Sequence, residues 1–63
     1  MNTMIDEKVA SIRRQAEVLD RKAEGSSGNA AKSYRRLSGT ATARANQIEA
    51  LYADGRVDEA LRA

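Results

Sequence analysis

The apolar residues of the N-terminal third of the chain recur at alternating spacings of four and three residues. Such spacing places side chains along one stripe of an α-helix, where they can pack against a second helix. The sequence therefore predicts a first helix over residues 3–24 with one packing side. The stripe comprises Ile5, Val9, Ile12, Ala16, Leu19 and Ala23.

The two ends of this first helix carry residues that commonly start and stop helices. Thr3 precedes Asp6 by three residues, which fits a variant of the capping box in which the hydroxyl accepts an early backbone N–H. The carboxylate of Asp6 also faces the positive end of the helix dipole. Gly25 is expected in the left-handed conformation that ends many helices.

A second helix is predicted over residues 30–53, although its centre contains weak helix formers. Apolar or small residues recur every three or four positions from Tyr34 to Tyr52. Gly39 costs about 1 kcal/mol relative to Ala inside a helix, so the helix either continues through it or breaks there with Thr40 capping a new helix. We favour continuity. A break would suggest a helix-turn-helix DNA-binding motif, but Arg35 stands where that motif needs a small residue.

The segment LYADGRVDEAL, residues 51–61, predicts a helix stop and then a short amphipathic helix. It resembles the central turn of a tetratricopeptide repeat, in which a Gly is followed by an aliphatic residue and an Ala at fixed distances. Gly55, Val57 and Ala60 match that pattern, whereas Arg44 and Ile48 depart from it. The resemblance implies a shared helix-turn-helix connection and not membership of the family.

Few residues are available to build a core. The 63 residues include ten Leu, Ile and Val, twelve Ala, and no Phe or Trp. A chain of this size buries only about 60% of the surface that its unfolded form exposes. Small proteins commonly gain stability from disulfides, a metal or oligomerisation. Because the chain has neither Cys nor His, oligomerisation is the route that we expect.

We therefore predict an all-α fold with a single domain over residues 1–63. An antiparallel helical hairpin of residues 3–24 and 30–53, with a short C-terminal helix, would assemble as a helical-bundle oligomer. A lone hairpin covers only part of each apolar stripe. The residues expected at the assembly interface are Ile5, Ile12, Leu19, Leu37, Ile48 and Leu51.

Basic residues are concentrated in the second predicted helix, since residues 25–53 carry four basic side chains and one acidic side chain. Assembly would double this excess, so nucleic acid or a nucleotide-like anion is a candidate ligand. The stretch EGSSGNAAKSYRR has glycines before Lys32, but a P-loop needs Gly directly before the Lys and a preceding strand. A helix connector is the favoured interpretation. The candidate anion-binding residues are Lys32, Arg35, Arg36 and Arg44.

The residue types argue against catalysis and against membrane insertion. Without His and Cys, the chain lacks the commonest general base, the thiol nucleophile and the preferred metal ligands. We expect no enzymatic activity, no cofactor and no metal. No apolar run approaches the roughly 20 residues of a membrane span, and the acidic start does not fit a secretory signal. A cytoplasmic location is predicted.

Two functional hypotheses are carried forward, beside a third in which the chain is a structural subunit docked permanently in a larger assembly through the stripe of its first helix. The first is a non-enzymatic interaction module, an adaptor, regulator or inhibitor of the kind that phages and plasmids encode. Such a module would pair with itself and with a larger protein through a helical face. The alternative is anion binding by the basic face of the second helix in an oligomer.

Overall fold

The computed structural model describes residues 2–63, and these form three α-helices. The helices are α1 (Thr3–Glu24), α2 (Gly28–Ala53) and α3 (Val57–Arg62). α1 and α2 pack antiparallel along their lengths, and α3 folds back over the open end of this hairpin, where it contacts both helices. The described residues contain no strand. The predicted all-α fold is therefore confirmed, with the hairpin and the short third helix in the expected order.

α2 runs for 26 residues without a break, so the predicted continuity through Gly39 is confirmed. The hydroxyl of Thr40 donates to the carbonyl oxygen of Arg36 at 3.1 Å, one turn back within the same helix. Thr40 therefore does not cap a new helix. The low helix propensity of Gly39 and its neighbours does not break α2, because α2 packs along α1 over its whole length. Packing supplies most of the stability of a helix in a protein.

The start of α1 differs from the predicted capping box. Asn2, not Thr3, is the N-cap, with φ −92° and ψ 108°. Its side-chain oxygen accepts the backbone N–H of Ile5 at 3.2 Å. Asn is at least as good an N-cap as Thr, so the helix begins with Thr3 already inside its first turn. The prediction that Thr3 caps the helix is wrong.

The loop between α1 and α2 reverses the chain at a different glycine from the one predicted. Gly25 has φ −83° and ψ 2°, so the prediction of a left-handed Gly25 is wrong. Its backbone N–H continues the helical pattern by donating to Arg21 at 3.1 Å. The positive φ of 63° falls at Gly28, and α2 consequently begins two residues earlier than predicted.

The connection between α2 and α3 is a Schellman turn centred on Gly55. Gly55 has φ 80°, and its N–H donates to Tyr52 while the N–H of Arg56 donates to Leu51, at 3.0 and 2.9 Å. These two bonds satisfy carbonyl groups that the end of α2 would otherwise leave free. The turn aims α3 back toward the hairpin, as the helix stop at Gly55 predicts.

The hydrophobic core lies at the open end of the hairpin, where all three helices meet. Its buried members are Ile5, Val9, Ile12, Ala45, Ile48 and Ala60. Toward the loop, the buried residues are Ala16, Ala23 and Ala31 with Ser38. The bulky side chains are therefore used where α3 adds a third wall, and small side chains line the part where only two helices meet.

Candidate interaction surfaces

α3 lies against one side of the α1–α2 hairpin, and two hydrogen bonds hold its C-terminal end there. The ammonium group of Lys8 donates to the backbone oxygen of Leu61 at 2.6 Å, and the guanidinium of Arg44 donates to that of Ala63 at 2.9 Å. Both cations meet the negative end of the α3 dipole. We call this side of the hairpin the α3 side, and the opposite side the groove side.

Large apolar side chains are exposed on the hairpin beyond the end of α3. Leu37 is 53% exposed and Val18 is 47% exposed. Ser38, which follows Leu37, donates a hydrogen bond to the carbonyl oxygen of Ala16, two residues before Val18. Val18 and Leu37 therefore lie at the same level along the hairpin. Leu37 precedes Arg44 by two turns and shares its side of α2.

Two half-buried apolar residues lie at the same level, one next to Val18 and one a turn from Leu37. Leu19 follows Val18 on α1 and belongs to the stripe that faces α2, and Ala41 lies one turn after Leu37 on α2. Ala41 also packs against the core. We call the set of Val18, Leu19, Leu37 and Ala41 the Leu37 patch.

Three of the six predicted interface residues lie inside the hairpin and not on its surface. Ile5, Ile12 and Ile48 are only 2%, 6% and 0% exposed, because α2 and the returning α3 already cover the isoleucine end of the stripe. Leu51 is half-buried and packs against the same core. The predicted interface residues with surface left in the hairpin are thus Leu37 and, in part, Leu19 and Leu51.

Val18 was missed by sequence reasoning because it lies outside the apolar stripe of α1. The residue type could have indicated an exposed apolar site. Val18 is a β-branched apolar residue between Glu17 and Leu19, at a position where a helix facing water is expected to carry a polar residue. Met4, which is 65% exposed, lies two heptads before Val18 on the same face of α1.

Three of the four predicted anion-binding residues lie together at the loop end of α2. Lys32 and Arg36 are one turn apart, Arg35 is adjacent, and all three are exposed. Arg44 lies two turns further along α2 and bonds the end of α3. The structure therefore brings Lys32, Arg35 and Arg36 into one cluster and leaves Arg44 outside it.

The last turn of α1 adds basic groups at the same loop end. Arg21 and Lys22 are in that turn, and the ammonium nitrogen of Lys22 lies 6.0 Å from the ring centre of Tyr34 on α2, within the range of a cation–π contact. The carboxylates of Asp20 and Glu24 are close in sequence and offset part of this positive charge.

The groove side contains a half-open apolar groove between the first half of α1 and the last half of α2. We call it the Tyr52 groove. Its volume is about 310 Å³, and it is lined by Ile5, Asp6, Val9, Ala10, Arg13, Glu49 and Tyr52. The hydroxyl of Tyr52 accepts the backbone N–H of Asn2 at 3.0 Å, which fixes the ring at one end of the groove.

The other end of the Tyr52 groove is crossed by a polar bridge between the helices. The guanidinium of Arg13 forms an ion pair with Glu49 and donates to the side-chain oxygen of Asn46 at 3.1 Å. The side chains of Arg13 and Glu49 are 42% and 52% exposed. An exposed pair of this kind contributes at most about 1 kcal/mol to stability, so another charged group can exchange with it at little cost.

The groove side of α1 is acidic. A row of residues runs along this side, each one position after a member of the core stripe. Four of the six carry carboxylates and one carries a guanidinium. The row consists of Asp6, Ala10, Arg13, Glu17, Asp20 and Glu24. Among residues 2–63, the structure pairs only Arg13 of this row with an opposite charge.

Among residues 2–63, none of the helices combines the length and the hydrophobicity that a membrane span requires. The same residues contain no group of three or more His, Cys, Asp or Glu arranged to hold a metal ion.

Comparison of the chain with protein-family models, with curated proteins and with solved structures finds no match. The surfaces described above are therefore the basis for a functional proposal.

Proposed function

We propose that this protein is a non-enzymatic interaction module that pairs with a second copy of itself through the Leu37 patch. The observation that carries the proposal is the exposure of Leu37 and Val18, 53% and 47%, at one level of the hairpin. Full burial of an aliphatic side chain contributes roughly 1.5–3 kcal/mol. The chain has only ten Leu, Ile and Val, and it leaves these two largely exposed at one level of the hairpin.

The shape of the hairpin supports pairing with another helical surface. The molecule measures 41 × 15 × 14 Å, so it is a narrow two-helix layer with a third helix over one end only. Two such layers can form a helical bundle by shallow-angle packing. α3 ends beside Arg44, which lies two helical turns from Leu37, and so α3 leaves the Leu37 patch accessible. A two-fold pairing would place the patch of one copy against that of the other.

Sedimentation equilibrium tests this proposal. The 6.9 kDa chain should show a concentration-dependent mass that approaches that of a dimer. Leu37→Glu places a charge in the patch and should weaken association at least tenfold, which corresponds to about 1.4 kcal/mol. Ala43→Glu, on an exposed part of α2 that faces away from α1, is the matched control and should associate as the unmodified chain does. A strict monomer at every concentration would contradict self-pairing.

A second candidate function is anion binding at the loop end of the hairpin. The cluster of Lys32, Arg35 and Arg36, with Arg21 and Lys22 close by on α1, favours it. Salt-dependent binding of a fluorescent oligonucleotide would be the readout, because each phosphate contact releases counterions. The double variant Arg35→Glu, Arg36→Glu should abolish it. An affinity that is the same at low and high salt would exclude this function.

A further inference from the structure

We propose that the Tyr52 groove binds a basic amphipathic helix from another protein, one that carries apolar residues on one face and Lys or Arg beside them. This site lies on the side of the hairpin opposite to the Leu37 patch. It is therefore separate from self-pairing and adds a second binding surface for a larger partner.

The volume and the apolar lining of the Tyr52 groove suit the binding of side chains from a partner. Its volume of about 310 Å³ is at the lower end of the roughly 300–1,000 Å³ of ligand sites, which suits one or two aliphatic side chains better than a large cofactor. Ile5 and Val9 line the bottom of the groove, and the small side chain of Ala10 makes the groove shallow on the α1 side. The ring of Tyr52 forms the end wall.

The charges around the groove select a cationic partner. Asp6 lines the groove itself and has no ion pair among residues 2–63. Glu49 lines the opposite wall and is paired with Arg13. A Lys or Arg of the partner can meet Asp6 directly and compete with Arg13 for Glu49. Complementary charge of this kind steers association and excludes acidic partners.

The acidic row of α1 indicates that the partner is a helix. Carboxylates continue from the groove to Glu17, Asp20 and Glu24. The row from Asp6 to Glu24 therefore covers 18 residue steps, or about 27 Å at 1.5 Å per step. A helix of about five turns lying along α1 would contact the whole row. α3 leaves this side open, because it packs on the opposite side of the hairpin. The bound helix would complete a bundle with α1 and α2.

A peptide titration tests the inference. The probes are two labelled 20-residue amphipathic peptides with the same Leu positions, one with Lys and one with Glu on the polar face, added to the full chain. The Lys peptide should bind and the Glu peptide should not. The double variant Asp6→Asn, Asp20→Asn should weaken binding about tenfold at low salt, since it removes two exposed ion pairs with the peptide.

Three further variants locate the binding site. Ala10→Arg fills the groove and adds a like charge, so it should abolish binding. Glu7→Gln removes an exposed carboxylate outside the acidic row and should leave the affinity unchanged. Arg13→Gln should strengthen binding, because it frees Glu49 and removes the positive charge at the groove. Circular dichroism checks that each variant remains helical.

Opposite outcomes would overturn the inference. Equal affinity for both peptides, or an equal loss in Glu7→Gln and the Asp6, Asp20 double variant, would show general charge attraction and no groove site. Leu37→Glu separates the two proposals, because it should prevent self-pairing and leave peptide binding intact. Loss of peptide binding in that variant would move the site to the Leu37 patch.

Discussion

The hydroxyl of Ser38 on α2 donates to the backbone carbonyl oxygen of Ala16 on α1 at 3.1 Å. Ser38 is 5% exposed and Ala16 is 6% exposed, so this bond crosses the buried seam between the two helices. It fixes their register at the level of the Leu37 patch. A side chain as small as Ser allows the two backbones to approach closely enough for the bond to form.

Enlarging Ser38 should destabilise the hairpin. In Ser38→Leu, the added volume has no space in a seam otherwise lined by Ala residues, and overpacking typically costs about 1–3 kcal/mol. Ser38→Ala removes only a bond to a carbonyl that is already paired within α1, and should cost less than about 1 kcal/mol. Urea denaturation of both variants measures the difference in the free energy of unfolding. Equal stability of the two would mean that the seam is not tightly packed.

Replacing Gly39 with Ala should stabilise the protein. Gly39 lies inside α2, has no positive φ, and a Cβ there would meet no atom within 4 Å. Ala removes the helix penalty of Gly, so we expect a gain of about 0.5–1 kcal/mol in the free energy of unfolding.

Gly55→Ala is the matched contrast for Gly39→Ala. A Cβ at Gly55 also meets open space, but φ is 80°, a conformation that costs other residues about 1 kcal/mol or more. This variant should therefore be less stable than the unmodified chain. Thermal unfolding of the Gly39→Ala and Gly55→Ala variants beside the unmodified chain measures both effects, and a stabilised Gly55→Ala would contradict the Schellman turn.

Removing Lys8 should loosen α3 without unfolding the hairpin. The ammonium group of Lys8 bonds the backbone oxygen of Leu61 and contributes at a helix C-terminus about 0.3–1 kcal/mol. In Lys8→Ala, the amides of residues 60–63 should exchange with solvent several-fold faster, while those in the middle of α1 and α2 stay unchanged. Lys32→Ala, far from α3, is the control. Uniform acceleration along the chain would mean that α3 does not open separately.

The regular features of the fold could be predicted because each rests on local spacing. The stripe from Ile5 to Ala23 specified α1, and the stripe from Tyr34 to Tyr52 specified α2 through the unfavourable Gly39. The loop was harder, since Gly25 and Gly28 are equally suited to a left-handed conformation. Which one adopts it depends on where α2 can begin and still align with α1.

The binding surfaces could be predicted only in part. The exposure of Leu37 agrees with its predicted place at the surface, but the burial of Ile5, Ile12 and Ile48 depends on α3 returning to the hairpin. The Tyr52 groove depends on contacts between residues that are far apart in sequence, such as Arg13 and Glu49. No local pattern in either helix specifies which faces will form the two sides of a hairpin.

The most direct measurement of the central claim is a dilution series followed by methyl NMR. We expect the methyl resonances of Val18, Leu19 and Leu37 to shift as the concentration falls, because dilution returns the Leu37 patch to water. The methyl groups of Val9, beside the Tyr52 groove, should remain unchanged. Resonances of the patch that stay constant from micromolar to millimolar concentration, or shifts confined to Val9, would contradict self-pairing through the Leu37 patch.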